Sequence, residues 1–274
     1  MSDGDRRESG HLMLITPERV FYAGLLGRPR QRCSGAFHVY VAIEGGLQLS
    51  VEGARDSHGE LAVVPPNVRH TIASDHRSVI CVLVEPEAVC AGAIDGLARR
   101  LLGPERGIFA DRIRAVYKFL LDQQCGDDIG SASFDQMCFG EALPRRLLDP
   151  RMVRAIAQIG RFSGEPVTAE SCATEAGLSS SRFLHLFKQQ TGISFRAFRA
   201  WKRARHLLHF ANQDINLAHL AQDIGYPDST HFSHSIRRFY GLKPRAIFSG
   251  SRDLAIYRSD AGVLDSAGFR QGRL

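Results

Sequence analysis

The sequence predicts a two-domain α+β protein, with an N-terminal β domain and its trailing helices followed by a C-terminal all-α domain. Its 274 residues exceed the usual size of one domain and allow two, each large enough to bury a core. Short apolar runs between glycine and proline turns fill residues 11–88, whereas later apolar residues recur at helical spacing. A segment of the second half then occurs twice, with Phe232 falling 49 residues after Phe183.

The composition sets bounds on this organisation. No apolar run approaches about 18 residues, and the first ten residues lack the apolar core of a signal peptide. We therefore expect a cytoplasmic protein without a membrane partner. Six cysteines, at positions 33, 81, 90, 125, 138 and 172, include no C-x-x-C pair, which argues against a zinc site or a disulfide framework. The predicted units are 11–143 (N-terminal domain), 144–149 (linker), 150–248 (C-terminal domain) and 249–274 (tail).

The first domain is predicted to be a small β-barrel or jelly roll, because its strands are short, evenly spaced and uninterrupted by helices. Glycine and proline turns separate these strands. The predicted strands are Ala36–Ile43, Leu47–Val51, Leu61–Val64, His70–Ala73 and Ser78–Val84.

Part of this region resembles the cupin barrel. The segment Gly59–His70 (GELAVVPPNVRH) follows the second cupin signature, in which a glycine, a proline and a histidine stand at fixed spacing. The first signature is half present, since His38 and Glu44 fit but Tyr40 stands where a second histidine is expected. The resemblance leaves open a divalent-metal site at His38, Glu44 and His70. We expect instead a pocket for a small effector and no cofactor. The candidate lining residues are Phe37, His38, Val39, Val41, Val63 and His70.

Helical spacing begins at Leu97 and carries its main run over residues 108–124, with one apolar stripe. This helix packs either on the barrel of its own chain or on a second copy, and both uses stay open. A short helix is expected around Phe134–Leu143. Asp149 and Pro150 then supply an N-cap and a first-turn proline for a helix over 151–160.

The repeat of the second domain consists of a helix, a turn that starts at a glycine, and a second helix. Gly177–Gly192 (GLSSSRFLHLFKQQTG) aligns with Gly225–Gly241 (GYPDSTHFSHSIRRFYG). This order is the helix-turn-helix pattern, here in two copies joined by a long basic helix. The predicted helices span 169–176, 180–191, 194–211, 217–224 and 229–240, before a closing turn at 244–248.

Basic charge is concentrated around this repeat. Residues 151–248 contain 14 Lys and Arg against 6 Asp and Glu, a balance of +8, whereas the whole chain carries +6 and the remainder therefore −2. Such a distribution indicates a polyanionic partner for the second domain.

Residues 150–248 resemble the double helix-turn-helix DNA-binding domain of AraC/XylS-type transcription regulators. The runs LFKQQTGISF (186–195) and GYPDSTHFSHSIRRFYGLKP (225–244) are similar to the two signature segments of that family. The resemblance implies double-stranded promoter DNA as the partner, with the second helix of each unit in a major groove about 34 Å from the other. It places base contacts at Ser181, Arg182, Leu184, His185, Ser229, Thr230, Ser233 and His234. The candidate phosphate contacts are Lys188, Arg196, Arg199, Lys202, Arg203, Arg237, Arg238 and Lys243.

The expected function is therefore sequence-specific regulation of transcription, in which the N-terminal domain binds a small effector and forms a homodimer. RNA polymerase is a candidate further partner. No nucleophile–base pair or phosphate-binding loop is apparent in the sequence, so we expect binding rather than catalysis. Two alternatives remain: a metal-dependent cupin enzyme fused to a DNA-binding module, and an architectural protein that binds DNA of any sequence.

Overall fold

The computed structural model describes residues 10–123, 129–161, 167–250 and 253–259. Its strands are β1 (Leu12–Ile15), β2 (Arg19–Leu25), β3 (Phe37–Ala42), β4 (Leu47–Val51), β5 (Ser57–Gly59), β6 (Leu61–Val64), β7 (His70–Ser74), β8 (Ser78–Val84) and β9 (Ala255–Arg258). The described strands form two sheets, one in the spatial order β6-β3-β8-β2-β1-β9 and one in the order β5-β4-β7. The five strands predicted from the sequence are confirmed as β3, β4, β6, β7 and β8. The single closed barrel that the sequence predicts is not confirmed, because the described strands lie in two separate sheets.

The last strand, β9, comes from the predicted tail. It pairs in parallel with β1, with Leu12 opposite Ala255, so the C-terminal segment of the chain completes the N-terminal sheet. No strand was predicted in 249–274, because the apolar run there is short, it lies in a segment rich in Gly, Ser, Asp and Arg, and its partner lies far away along the chain.

The six-stranded sheet has two buried faces, because successive side chains of each strand point to opposite sides of the sheet. On one face Phe37, Val39 and Val41 pack against three helices. On the other face Tyr40 and Cys81 pack towards the C-terminal domain. The three helices are α1 (Ala91–Leu102), α2 (Arg106–Gln123) and α3 (Ser131–Phe139).

The C-terminal domain contains the predicted helices in the predicted order. They are α4 (Pro150–Gly160), α5 (Ala169–Glu175), α6 (Ser180–Thr191), α7 (Phe195–His206), α8 (Leu217–Asp223) and α9 (Ser229–Tyr240). The segment predicted as a closing turn at 244–248 is instead a short helix, α10 (Pro244–Gly250). Asp149 caps α4 by accepting the backbone N–H of Arg151 at 2.9 Å, as the sequence predicts. The connecting helix α7 ends at His206 and continues as a 3-10 helix over Leu207–Phe210, so it is a shorter α-helix than the expected 194–211.

The two domains share a hydrophobic core. Trp201 and Ala204 of α7, together with Phe239 of α9, belong to the same buried cluster as Tyr40 and Cys81 of the sheet. The connecting helix therefore packs on the N-terminal sheet as well as on its own domain. In the described part of the chain, no helix combines the length and the apolar character needed to cross a bilayer.

Candidate nucleic-acid interface

The two helix-turn-helix units repeat each other in backbone geometry. Their turns contain Gly177 and Gly225 at φ values of 64° and 80°, and their second helices end at Gly192 and Gly241 at φ values of 80° and 68°. This left-handed conformation costs little for glycine but strains residues with a Cβ atom. The glycines recognised in the sequence repeat therefore set the angle of each turn and the end of each second helix.

Aromatic and aliphatic side chains fix the inner faces of α6 and α9. Phe183 and Phe187 are fully buried, and Phe187 packs edge-on against Phe195 of α7, with ring centroids 5.2 Å apart. Phe232 and Ile236 occupy the equivalent positions in the second unit. Because these faces are locked into separate cores, the opposite face of each helix is held towards solvent.

The residues predicted to contact bases lie on these outward faces. Those of α6 are all exposed, as are those of α9 except Ser233, which is half-buried. Leu184 is 41% exposed, an unusual position for leucine in a polar helix surface but a suitable one for contact with a thymine methyl group. The predicted set thus forms two equivalent exposed surfaces, one on each helix.

The N-terminus of α9 is held by a charged cap. The Asp228 carboxylate accepts the backbone N–H groups of Thr230 and His231 at 2.7 and 2.8 Å, and it contacts the His231 Nδ1 at 2.8 Å. These hydrogen bonds lower the pKa of Asp228. The cap orients the first turn of α9, where two of the predicted base-contact residues lie.

The candidate phosphate contacts differ in exposure. Lys188, Arg196, Arg237, Arg238 and Lys243 are exposed, and Arg199 and Arg203 are half-buried.

The two half-buried arginines pack on aromatic rings. The Arg203 guanidinium lies 5.9 Å from the centre of the Tyr226 ring, and the Arg199 guanidinium lies 5.6 Å from that of Phe195. Burial lowers the pKa of both arginines.

The structure places Lys202 elsewhere, in the contact between the domains. Its ammonium forms an ion pair with Glu85 at 2.7 Å and a second one with Glu87. Its side chain is only 12% exposed, so Lys202 reaches a phosphate only if the domains separate.

Glu85, at the end of β8, is the centre of this contact. Its carboxylate also accepts the Trp201 indole N–H at 3.0 Å and pairs with Arg205 at 2.7 Å. Burial by itself raises the pKa of Glu85, but Lys202 and Arg205 outweigh it and lower the pKa below its usual value. Burial raises the pKa of the neighbouring Glu87. We call Glu85, Glu87, Trp201, Lys202 and Arg205 the Glu85 junction.

The Glu85 junction was not predicted from the sequence. The signal that was present is an acidic pair, Glu85 and Glu87, directly after an apolar strand, in a chain whose connecting helix is strongly basic. Complementary charge alone did not select Lys202 and Arg205 from the other basic residues of that helix.

The candidate effector residues are divided between the two faces of the sheet. Phe37, Val39, Val41 and Val63 fill the core beneath the helices, where they belong to the packing of the domain. His38 lies on the other face with Tyr40, since it stands one residue from Phe37 along the strand. The six residues therefore do not line one pocket.

His38 and His70 lie in a buried polar cluster. The His70 Nε2 accepts the Tyr40 hydroxyl at 3.0 Å, while its Nδ1–H donates to the Val68 carbonyl at 3.0 Å. Burial lowers the pKa of His70 to about 4 and that of His38 well below its usual value. Glu44 lies in an exposed turn. Among the described residues, no three His, Cys, Asp or Glu side chains come together in a way that could hold a metal ion.

Comparison with known proteins identifies the C-terminal region. Residues 172–249 match a family model described as a helix-turn-helix domain. The HTH-type transcriptional activator RhaS of Escherichia fergusonii is 34% identical over 111 residues, which are 39% of this chain and 39% of that protein. The HTH-type transcriptional regulator AlkR of Acinetobacter baylyi is 28% identical over 102 residues, covering 36% of this chain and 33% of that protein. The chain thus matches less than half of the length of these relatives.

A solved structure extends the likeness to both domains. An apo ToxT variant from Vibrio cholerae superimposes with a TM-score of 0.52 at 11% identity, over 85% of this chain and 97% of that one. At this identity the likeness concerns the fold, a sheet domain followed by a helical helix-turn-helix domain.

Proposed function

We propose that this chain, which belongs to the AraC/XylS-type regulators through its C-terminal domain, binds promoter DNA sequence-specifically and regulates transcription in response to a small molecule. DNA recognition is assigned to α6 and α9, and the response to the N-terminal sheet. The observation that carries the proposal is the repetition of one unit, with equal turn geometry and two equivalent exposed polar faces.

The spacing of the two units supports simultaneous binding to one side of a duplex. The 12 residues of α7 span about 18 Å, and the four residues of the following 3-10 helix add about 8 Å. The connecting segment is thus about 26 Å long. It holds α6 at its N-terminal end, where Phe187 packs on Phe195, and α9 near its middle, where Phe239 packs on Trp201. We propose that the two recognition helices, joined in this way, enter consecutive major grooves about 34 Å apart on one face of B-DNA.

The experiment that tests this function is selection of binding sites from random duplexes by the full chain. We expect a motif with two conserved blocks one helical turn apart. Substitution His185→Ala should relax preference in one block and His234→Ala in the other, each by roughly 1–3 kcal/mol of discrimination for a lost base contact. His219→Ala is the matched control, because His219 is exposed on α8, outside both recognition helices.

Three results would contradict parts of the proposal. Selection of no motif would leave only sequence-independent binding. A motif unchanged in both histidine variants would mean that other side chains read the bases. Loss of preference in His219→Ala would show that α8, rather than α9, faces the groove.

For the N-terminal domain we propose an effector site on the sheet face that carries His38 and Tyr40, in an opened relative of the cupin barrel. That face packs on α7, so an effector bound there contacts the helix that connects the two helix-turn-helix units. The expected result is that candidate effectors raise the unfolding midpoint of the wild type, and that Tyr40→Phe reduces this gain. An equal gain in wild type and Tyr40→Phe would place the site elsewhere.

We also propose that the chain forms a homodimer through α2. Ile108 and Phe119 are 63% and 45% exposed, and their separation of 11 residues places them on the same side of a helix. Sedimentation should show a dimer for the wild type and a monomer for Phe119→Asp. Unchanged sedimentation would exclude this face as the interface.

A further inference from the structure

The segment between β2 and β3 is basic and lies against the C-terminal domain. Residues 26–36 contain Arg28, Arg30 and Arg32 and no acidic residue. The segment borders a cleft of about 550 Å³ on the α9–α10 side of the molecule. The described residues that line this cleft are Gly27, Arg28, Arg30, Gln31, Arg237, Gly241, Leu242, Lys243 and Ala246. Four of them are cations and none is an acid.

A buried guanidinium adds to this positive field. Arg32 is 8% exposed, and its Nε and Nη2 atoms have no hydrogen-bond partner in the described part of the chain. It lies directly behind the cleft, since a methyl group on Gly241 would be 3.4 Å from the Arg32 Nε. A guanidinium stays charged at all ordinary pH values, and a buried charge without a counter-ion is costly. An anion in the cleft offsets part of that cost.

The segment is attached to the recognition helix itself. The Cys33 N–H donates to the Arg238 carbonyl at 2.7 Å. A methyl group on Gly27 would lie 2.8 Å from a δ-carbon of Leu242, so the backbone of the segment lies close against the turn after α9. The basic side chains therefore keep a fixed position relative to α9.

The cleft also continues the DNA-facing side of α9. Thr230, His234, Arg237 and Gly241 follow one another at intervals of three or four residues, which is one face of a helix. Arg237 belongs both to the candidate phosphate contacts and to the lining of the cleft. Arg28 and Arg30 thus lie next to the place where a phosphate backbone would border a groove entered by α9.

We propose that Arg28 and Arg30 bind the DNA phosphate backbone beside the second recognition helix, so that the N-terminal domain forms part of the DNA-binding surface. This inference rests on the proposed function and deepens it. The N-terminal domain, for which we proposed effector binding, would then contribute directly to DNA affinity, in addition to the two helix-turn-helix units.

The test is the salt dependence of binding by the full chain to a duplex obtained from the site selection, followed by fluorescence anisotropy. Arg28→Ala and Arg30→Ala should each reduce the slope of log K against log salt by about 0.9, and the double variant by about 1.8. Arg30→Lys should restore the slope, because the charge remains. Arg237→Ala is the positive control. Arg55→Ala is the matched negative control, since Arg55 is exposed in the turn between β4 and β5.

The outcomes separate this inference from the function on which it rests. If Arg237→Ala flattens the slope while Arg28→Ala and Arg30→Ala behave like Arg55→Ala, the inference is overturned and DNA binding stands. If these two variants leave the slope unchanged but abolish a rise in melting temperature caused by inorganic phosphate, the cleft holds a free anion and the inference is again overturned. A wild-type chain that binds no duplex would overturn both the function and the inference.

Discussion

Substitution of Glu85 should separate the two domains, because one buried carboxylate serves three partners. It accepts the Trp201 indole N–H, pairs with Lys202 at 2.7 Å and pairs with Arg205 at 2.7 Å. The Glu85 side chain is 1% exposed, so water cannot replace the carboxylate. In Glu85→Gln both Lys202 and Arg205 lose this counter-ion in a buried site, and Lys202 keeps only its pair with Glu87.

The expected cost follows from this geometry. Removal of one partner of a buried ion pair destabilises proteins by about 3–5 kcal/mol, since the remaining charge stays desolvated. Glu87 still faces Lys202, which places the cost towards the lower end of this range. The matched control is Glu52→Gln, because Glu52 pairs with Arg69 at 3.9 Å with both side chains about two-thirds exposed. Such a pair contributes about 0–1 kcal/mol.

The chain contains its own probe for the measurement. Its single tryptophan, Trp201, is 1% exposed and bonded to Glu85, so its fluorescence reports on the junction directly. Urea unfolding should show an earlier red shift of the emission in Glu85→Gln than in the wild type, ahead of the loss of helical circular dichroism. A change in unfolding free energy below about 1 kcal/mol, equal to that of Glu52→Gln, would refute the argument that the junction holds the domains together.

Two further predictions follow from buried groups near the connecting helix. Burial lowers the pKa of His206 to about 4 and that of His209 to about 3, so the free energy of unfolding is highest above pH 6.5 and falls as the pH drops towards these values. At pH 5.5 each histidine should lower the free energy of unfolding by about 1 kcal/mol. A urea midpoint that is equal at pH 7.5 and 5.5 would disprove this. Gly35→Ala should lower the free energy of unfolding by about 1–3 kcal/mol through overpacking, because its methyl group would lie 2.6 Å from the Trp201 Cγ. In the control Gly92→Ala the methyl group meets nothing within 4 Å and should not destabilise the protein. Equal melting temperatures for the two variants would contradict this reasoning.

Local patterns were sufficient to predict most of the C-terminal domain. The cap at Asp149, the glycines that end α6 and α9 and the apolar spacing of each helix act over a few residues, so the sequence contains them directly. The repeat added the information that two faces are equivalent. The exposed positions of His185 and His234 follow from these patterns alone.

The contacts between distant segments could not be predicted in this way. The strand β9 forms because β1 offers a free edge, and Lys202 is buried because Glu85 lies opposite it. Neither fact appears in the neighbourhood of the residue concerned. For the same reason, periodicity predicted the strands around His38 but not which side of the sheet would meet the second domain.

The connecting helix α7 and the 3-10 helix after it take part in three hydrophobic cores. Phe198 packs in the core of the first unit, Trp201 in the core shared with the sheet, and Leu207, just after α7, in the core of the second unit. Close-packed cores transmit displacement instead of absorbing it. A shift at the end of β8 is therefore expected to move Trp201 and the helices packed on it. Because the proposed DNA complex requires recognition helices about one helical turn apart, we expect the position of Glu85 to be coupled to DNA affinity, and by linkage DNA binding to favour the same position of Glu85.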